Sequence, residues 1–188
     1  MNLGIKFGIY TSLTFILIIL GLFVSGINLR EDFMQIMVGA GTLCLFVGVA
    51  LSIIINFNRN KTGGISMLVD IKTGLASSAI FAILISPFLV LYFTSIDSEF
   101  AERRRDQIIE QMQEPEAVAE LQKQMEADPD AFKGKSVDDM IERNVDNVEH
   151  MLSPGTVFPI ALFSLLLLGM VYSFLVTAFN RLILAKLK

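Results

Sequence analysis

The sequence predicts an all-α integral membrane protein: a four-helix bundle with an amphipathic helical lobe between the third and fourth transmembrane helices. Two features of the 188-residue chain predict this fold, four long apolar runs and one strongly charged stretch between the third run and the fourth. Each run is long enough, at about 1.5 Å per residue, to cross a hydrocarbon layer about 30 Å thick. The runs extend over about Ile5–Ile27, Met34–Ile55, Thr73–Ser95 and Val157–Phe179.

The composition favours the same fold class. Hydrophobic residues make up 53% of the chain, and the mean hydropathy is +0.61, whereas a soluble domain has a more average composition. No Asp, Glu or Arg lies within the four runs, and Lys6 stands at an end. We divide the chain into residues 1–96 with the first three transmembrane helices, residues 97–155 with an acidic helical lobe, and residues 156–188 with the fourth helix and a basic tail.

The first run has two interpretations, because Lys6 precedes its apolar region as in a secretory signal. The run is longer than the apolar region of a typical signal, and no small-residue cleavage site lies near Gly26–Arg30. We therefore predict a retained transmembrane helix rather than a cleaved signal.

Small residues recur at four-residue spacing in the runs and predict close helix packing, since lipid supplies no hydrophobic drive between helices. The first interpretation is packing within the bundle. The alternative is that one stripe, in the third run, docks a partner helix. The predicted helix-packing residues are Gly74, Ser78, Ala82 and Ser86 in the third run and Gly169 and Ser173 in the fourth.

Pro87 interrupts the third run near its middle. Proline removes one backbone hydrogen bond and its ring presses on the carbonyl one turn earlier, so we predict a kink near Ile83. Broken helices in transporters often border binding sites. The structural interpretation, a kink without a site, is the simpler one.

The charged stretch itself predicts three helices. Ala101–Gln113 has helical apolar spacing, and Glu114–Pro115 indicates a restart that continues to Ala127, since proline suits the first helical position. Asp128–Asp130 and Lys133–Lys135 then break the pattern. Ser136 with Asp139 three residues later predicts a capping box, which opens an amphipathic helix that ends at Ser153–Gly155.

An apolar patch on these helices is a candidate protein contact, because methionine suits irregular or changing surfaces. The alternative is that the same side chains only pack the lobe helices on each other. The predicted contact residues are Ile108, Met112, Met125, Met140 and Met151.

Basic residues predict the orientation. Lys6, Arg59, Lys61, Lys72, Arg181, Lys186 and Lys188 would all share one side, whereas the short opposite loop carries only Arg30. The positive-inside bias therefore predicts that both termini lie in the cytoplasm. The acidic lobe would lie outside. The triplet Arg103–Arg105, close to the end of the third run, opposes this orientation.

The residues that carry common chemistries are absent from the sequence or isolated. No acid or base lies within the runs to relay a proton, and His150 lacks the second histidine of a zinc-binding helix. Cys44 is the only cysteine, so we expect neither an intramolecular disulfide nor a cysteine metal cluster. We predict no catalytic residues, cofactor or metal, no nucleic-acid partner, and no enzyme activity.

Short motifs around the third run carry a resemblance to a known family. They are Asn56–Asn60, Gly63–Ser66, Lys72–Leu75 and Tyr92–Phe100, followed by an acidic, Met- and Gln-rich segment and a final apolar run. In this order the chain resembles the small four-span bacterial proteins of domain-of-unknown-function family four-one-nine-nine, common in Bacteroidota. Members often carry a Gly-Lys pair after the Ile-Ser, where this chain has Leu68 and Val69. The resemblance implies four membrane helices and an inner-membrane location, and it implies no activity.

The leading functional hypothesis is a non-enzymatic accessory or scaffold subunit of a membrane complex. Its partners would be the lipid bilayer and either another membrane protein or further copies of this chain. The alternative is a small permease or lipid-handling protein with a cavity near Pro87, lined by Ser77, Ser78, Ser86 and Thr94.

Overall fold

α-Helices form almost all of the part of the chain that the structure, a computed structural model, describes: residues 2–59, 66–127 and 136–184, with side chains as far as Leu182. In those ranges 92% of the residues are helical and there is no strand. The helices are α1 (Leu3–Val24), α2 (Phe33–Arg59), α3 (Met67–Leu91), α4 (Phe100–Gln113), α5 (Pro115–Ala127), α6 (Val137–Leu152) and α7 (Pro154–Phe179). Two π-helical turns, Tyr92–Ile96 and Asn180–Leu184, directly follow α3 and α7.

Four of these helices, α1, α2, α3 and α7, are long and apolar enough to cross a membrane. Together with their π-helical turns, the last two spans reach 30 residues over Met67–Ile96 and 29 residues over Pro154–Leu182. The protein is therefore a multi-pass, all-α membrane protein, and the predicted fold class is confirmed.

The third span differs from the prediction at its beginning. The Ser66 hydroxyl accepts a hydrogen bond from the amide of Leu68 at 3.2 Å, so the helix begins at Met67, well before Thr73. Asp70 and Lys72 thus lie inside α3. The prediction that the spans contain no acidic residue is wrong here, because a charge lowers the hydropathy of a segment without ending its helix.

The described chain divides into two compact units. The first, which we call the bundle, combines Met1–Val90 with Phe158–Lys188. Its core is aromatic and aliphatic: the ring of Phe15 meets those of Phe81 and Phe88 edge-on, with centroids 6.1 and 6.3 Å apart. Small side chains let the backbones approach closely beside these rings.

The second unit, Leu91–Val157, contains the lobe. Here α4 packs against α6, and α5 contacts both. The predicted capping box at Ser136 and Asp139 is confirmed, as are the helix restart at Pro115 and the helix end at Leu152. The predicted breaks at 128–130 and 133–135 lie outside the described residues.

Pro87 lies inside α3, on its exposed side, and the helix runs without interruption from Met67 to Leu91. The helical repeat changes only at the π-helical turn that begins with Tyr92. A change of direction near Ile83 stays a prediction.

Candidate functional site

All six predicted helix-packing residues are buried inside the bundle. A Cβ atom on Gly74 would lie 2.7 Å from Oγ of Ser173 and 2.8 Å from a methyl carbon of Ile53. A Cβ atom on Gly169 would overlap the side chain of Ser78. Helices α3 and α7 thus touch at Gly74–Ser173 and at Ser78–Gly169. Contacts within the chain fill this part of the small-residue stripe. The other two members of the set, Ala82 and Ser86, are each 0% exposed.

A buried ion pair joins the beginning of α3 to the end of the fourth span. The side chain of Asp70 is fully buried, and that of Arg181 is 26% exposed. Nε and Nη2 of Arg181 donate to Oδ2 of Asp70 at 2.9 and 2.6 Å. The Asn56 amide donates to Oδ1 of Asp70 at 3.1 Å, and the guanidinium lies 5.6 Å from the ring centroid of Phe57. We call these four residues the polar node.

Local structure favours both charges of the polar node. Asp70 lies in the first turn of α3, where the helix dipole favours an anion, and Arg181 lies at the C-terminal end of the fourth span, where it favours a cation. A buried carboxylate is tolerated only when a charge and hydrogen bonds replace its water. The two arginine contacts and the Asn56 amide meet that condition for Asp70.

The sequence analysis missed this pair, although the stripes that it identified point to it. Asp70 lies four residues before Gly74, and Arg181 lies eight residues, or two steps of four, after Ser173. Both residues therefore continue the interior faces of their helices. They were overlooked because hydropathy alone placed them outside the apolar runs.

Two further polar atoms of the bundle are buried without a hydrogen-bond partner among the described residues: Oγ1 of Thr177 and Nδ2 of Asn180. Thr177 is 0% exposed and Asn180 is 3% exposed. Asn180 is the first residue of the second π-helical turn and directly precedes Arg181. The fourth span thus ends in a polar segment inside the bundle.

A second buried aspartate, Asp97, lies in the second unit and has local partners. Nη2 of Arg103 donates to Oδ1 of Asp97 at 2.5 Å, and the hydroxyl of Tyr92 donates to Oδ2 at 3.4 Å. Arg103 also lies 3.6 Å from a carboxylate oxygen of Glu99. This cluster ties the first π-helical turn to the beginning of α4.

An open groove of about 580 Å³ lies between α4 and α6. Three of the five predicted contact residues, Ile108, Met112 and Met151, line it. Met125 on α5 and Met140 in the first turn of α6 are half-buried and do not line it. The remaining lining residues are Asn144, Asn147, Val148 and His150. Its aliphatic and methionine side chains, beside exposed amide and imidazole groups, can bind an apolar stripe with polar flanks.

The hydroxyl groups assigned to a permease cavity are separated or already bonded. Oγ of Ser78 donates to the carbonyl of Leu75 and Oγ of Ser86 to that of Ala82, both inside the bundle. Ser77 is buried as well, whereas Thr94 is exposed on the first π-helical turn. These contacts stabilise α3 and occupy two of the hydroxyls.

Cys44 is buried in α2. Across the ranges that the structure describes, His, Cys, Asp and Glu form no group of three or more that could hold a metal ion.

Comparison with known proteins gives one match. The sequence profile of the family described as protein of unknown function (DUF4199) matches residues 6–182, nearly the whole chain. No curated protein and no solved structure matches the chain.

Proposed function

The chain belongs to the family described as protein of unknown function (DUF4199), and from that premise we propose a non-enzymatic accessory or scaffold subunit of a membrane complex. The observation that carries the proposal is the groove between α4 and α6, where Met151 is 57% exposed. An apolar side chain of this size, standing beside others in an open groove, favours a protein contact.

The hydrogen bonds of the buried polar residues in the bundle support the same proposal. Asp70 is satisfied by Arg181 and Asn56, and the hydroxyls of Ser78 and Ser86 bond the backbone of α3. Groups held in this way stabilise a structure. They do not present a free nucleophile or base.

The proposal includes a location, a bacterial inner membrane with both termini in the cytoplasm and the lobe outside. The seven basic residues on one side of the spans support it. Single cysteines introduced by Glu120→Cys and by Arg59→Cys, in a Cys44→Ser background, test it. An impermeant maleimide added to intact spheroplasts should label the Glu120→Cys variant and leave the Arg59→Cys variant unlabelled. The reverse pattern would invert the topology.

Complex formation is tested by crosslinking in intact cells, followed by native size analysis after mild detergent extraction. The wild-type protein should migrate as an assembly larger than its own 20.8 kDa chain, with a second membrane protein crosslinked to α4 or α6. Met112→Asp should remove this assembly, since a carboxylate in the groove is stranded without water. Met125→Asp is the matched control, because it makes the same change on α5 outside the groove.

Either of two results contradicts the scaffold proposal. One is a chain that stays free of crosslinked neighbours at native expression levels. The other is an assembly that the Met112→Asp variant keeps intact, because it would not depend on the groove.

A second candidate, a small permease or lipid-handling protein, is favoured by one observation. Asp70 is an ionisable side chain buried in a membrane-spanning helix, and such residues frequently mark translocation paths. Reconstituted vesicles loaded with a pH-sensitive dye test it. A permease should dissipate a pH gradient, lose that activity in the Ser86→Leu variant, and keep it in the Met112→Asp variant. If the protein is a scaffold, the wild type and both variants should all leave the pH gradient intact.

A further inference from the structure

The lobe carries a large excess of negative charge. Residues 97–153 contain sixteen acidic and seven basic residues. Two of the arginines are engaged internally: Arg103 pairs with Asp97 and Glu99, and Arg105 lies 3.6 Å from Glu149 across α4 and α6. Carboxylates on all three helices are exposed. A field of one sign over a whole lobe steers a partner of opposite charge and repels one of like charge.

The groove has the form that receives a helix. Its apolar side chains come from one face of each of the two helices. Ile108 and Met112 are four residues apart on α4, and Val148 and Met151 are three residues apart on α6. Rows of this kind on the two walls suit the apolar stripe of a third helix, with anchors at three- and four-residue spacing. Methionines in both walls let the groove adapt to the anchors.

We propose that this groove binds a basic amphipathic helix of a partner protein, an inference that rests on the proposed scaffold function. The apolar stripe of that helix occupies the groove, and its lysine or arginine flanks face the acidic lobe. A second copy of this chain is the wrong occupant, because it brings another lobe of the same negative charge. An anionic lipid surface is repelled for the same reason.

The test uses the full chain in nanodiscs of zwitterionic lipid and a fluorescent model helix as the probe. The probe has about 18 residues, with leucines at the anchor spacing and lysines elsewhere. A matched probe replaces every lysine by glutamate. Fluorescence anisotropy, corrected with empty nanodiscs, should show binding of the lysine probe and at least tenfold weaker binding of the glutamate probe. Raising the salt from about 50 to about 300 mM should weaken the lysine probe roughly fivefold or more.

Substitutions in the groove separate docking from nonspecific attraction. Met112→Gln combined with Met151→Gln should weaken the lysine probe about tenfold, since both anchors lose their apolar contact. Met125→Gln, the same change outside the groove, should leave the affinity within about twofold. Met151→Gln alone should weaken binding by a smaller factor, and because Met151 is 57% exposed we expect this variant to fold normally.

Three results overturn the proposal. If the lysine and glutamate probes bind equally tightly, charge does not select the partner. If the lysine probe binds the double variant as tightly as the wild type, the binding is nonspecific electrostatic attraction and does not use the groove. Disulfide crosslinking between two Val148→Cys chains in the same nanodisc would make a second copy the occupant. The crosslinking test of the scaffold function is independent of these results. If the assembly requires Met112 but the lysine probe does not bind, the scaffold function is supported and its partner has a different chemistry.

Discussion

Two aspartates are buried in the part of the chain that the structure describes, and they are held in opposite ways. Asp70 in the bundle pairs with Arg181, which lies 111 residues away in the sequence, whereas Asp97 in the second unit pairs with Arg103, only six residues away. The first pair forms only after two distant membrane helices have come together. The second requires only the short segment that leads into α4. The buried aspartate of the bundle thus depends on a long-range polar contact, and that of the second unit on a local one.

The two arginine side chains are exposed to a similar extent, 26% for Arg181 and 27% for Arg103. The aspartates differ more in their other partners. Asp70 has Asn56, which belongs to a third element, and Asp97 has Tyr92 in the same turn. Removal of the arginine should therefore destabilise the bundle more than the second unit, because in the bundle it affects the packing of separate helices.

The largest expected effect follows from Arg181→Ala. This change leaves the Asp70 carboxylate buried with the Asn56 amide but without its cation, which should lower the free energy of unfolding by about 3–5 kcal/mol. Equilibrium unfolding in mixed micelles, followed by circular dichroism, measures it. Arg59→Ala is the control, since Arg59 is an exposed arginine at the end of α2.

The double variant Asp70→Leu with Arg181→Met sharpens this prediction. Removing both charges removes the burial penalty together with the attraction, so stability should return to near the wild-type value. A double variant as unstable as Arg181→Ala alone would indicate that the lost side-chain contacts, and not the stranded charge, determine the effect.

The second effect concerns the close contact of α3 and α7. Gly169→Ala adds a methyl group that overlaps the side chain of Ser78, and the expected destabilisation is about 1–3 kcal/mol. Gly39→Ala is the matched control, because nothing lies within 4 Å of a Cβ atom there. That control should be neutral or slightly stabilising, since alanine favours a helix over glycine. Equal effects at the two positions would contradict close packing at Gly169.

These contacts show what the sequence could predict. Helices with local signals were found: the four apolar runs, the restart at Pro115 and the capping box at Ser136 all correspond to observed elements. Each signal is contained in fewer than about 30 consecutive residues. The small-residue stripes also identified buried positions, because four-residue spacing fixes which residues share a helix face.

The polar node escaped prediction for a physical reason. A hydropathy window counts Asp70 as unfavourable in a membrane, whereas the folded bundle offsets that cost with Arg181, a partner 111 residues away. The predicted contact residues coincide only in part with the lining of the groove, for a related reason. Periodicity selected the apolar faces of the lobe helices, but which faces meet depends on helix packing. Met125 and Met140 therefore fall outside the groove that Met112 lines.

The third effect concerns the local ion pair between Asp97 and Arg103. Arg103→Ala should lower the stability of the second unit by about 1–2 kcal/mol, because Asp97 lies just beyond the third span and water can reach its carboxylate once the guanidinium is removed. Hydrogen exchange of the α4 amides measures this loss, and exchange in α2 should stay unchanged. A loss as large as that of Arg181→Ala would contradict the distinction between local and long-range pairs.

The smallest effect is a pH dependence at the beginning of α6. The backbone amide of Ser136 donates to the Asp139 carboxylate at 2.6 Å, and with the Ser136 hydroxyl it holds the pKa of Asp139 below its ordinary value. A carboxyl with a lowered pKa in the folded state stabilises that state fully above its unfolded value of about 3.9. The contribution is lost as the pH falls through the lowered pKa.

The protection factors of the first amides of α6, which correct for the fall of the intrinsic exchange rate with pH, should accordingly decrease only at the acidic end. Asp139→Asn should abolish this step, because an uncharged amide side chain does not titrate, while the rest of the lobe keeps its own acid response. The comparison makes the result informative. A capping box closes within four residues, so its loss should fray α6 without disturbing α4. Simultaneous opening of α4 would show that the second unit folds as one cooperative block, with its local contacts coupled as tightly as the long-range contacts of the bundle.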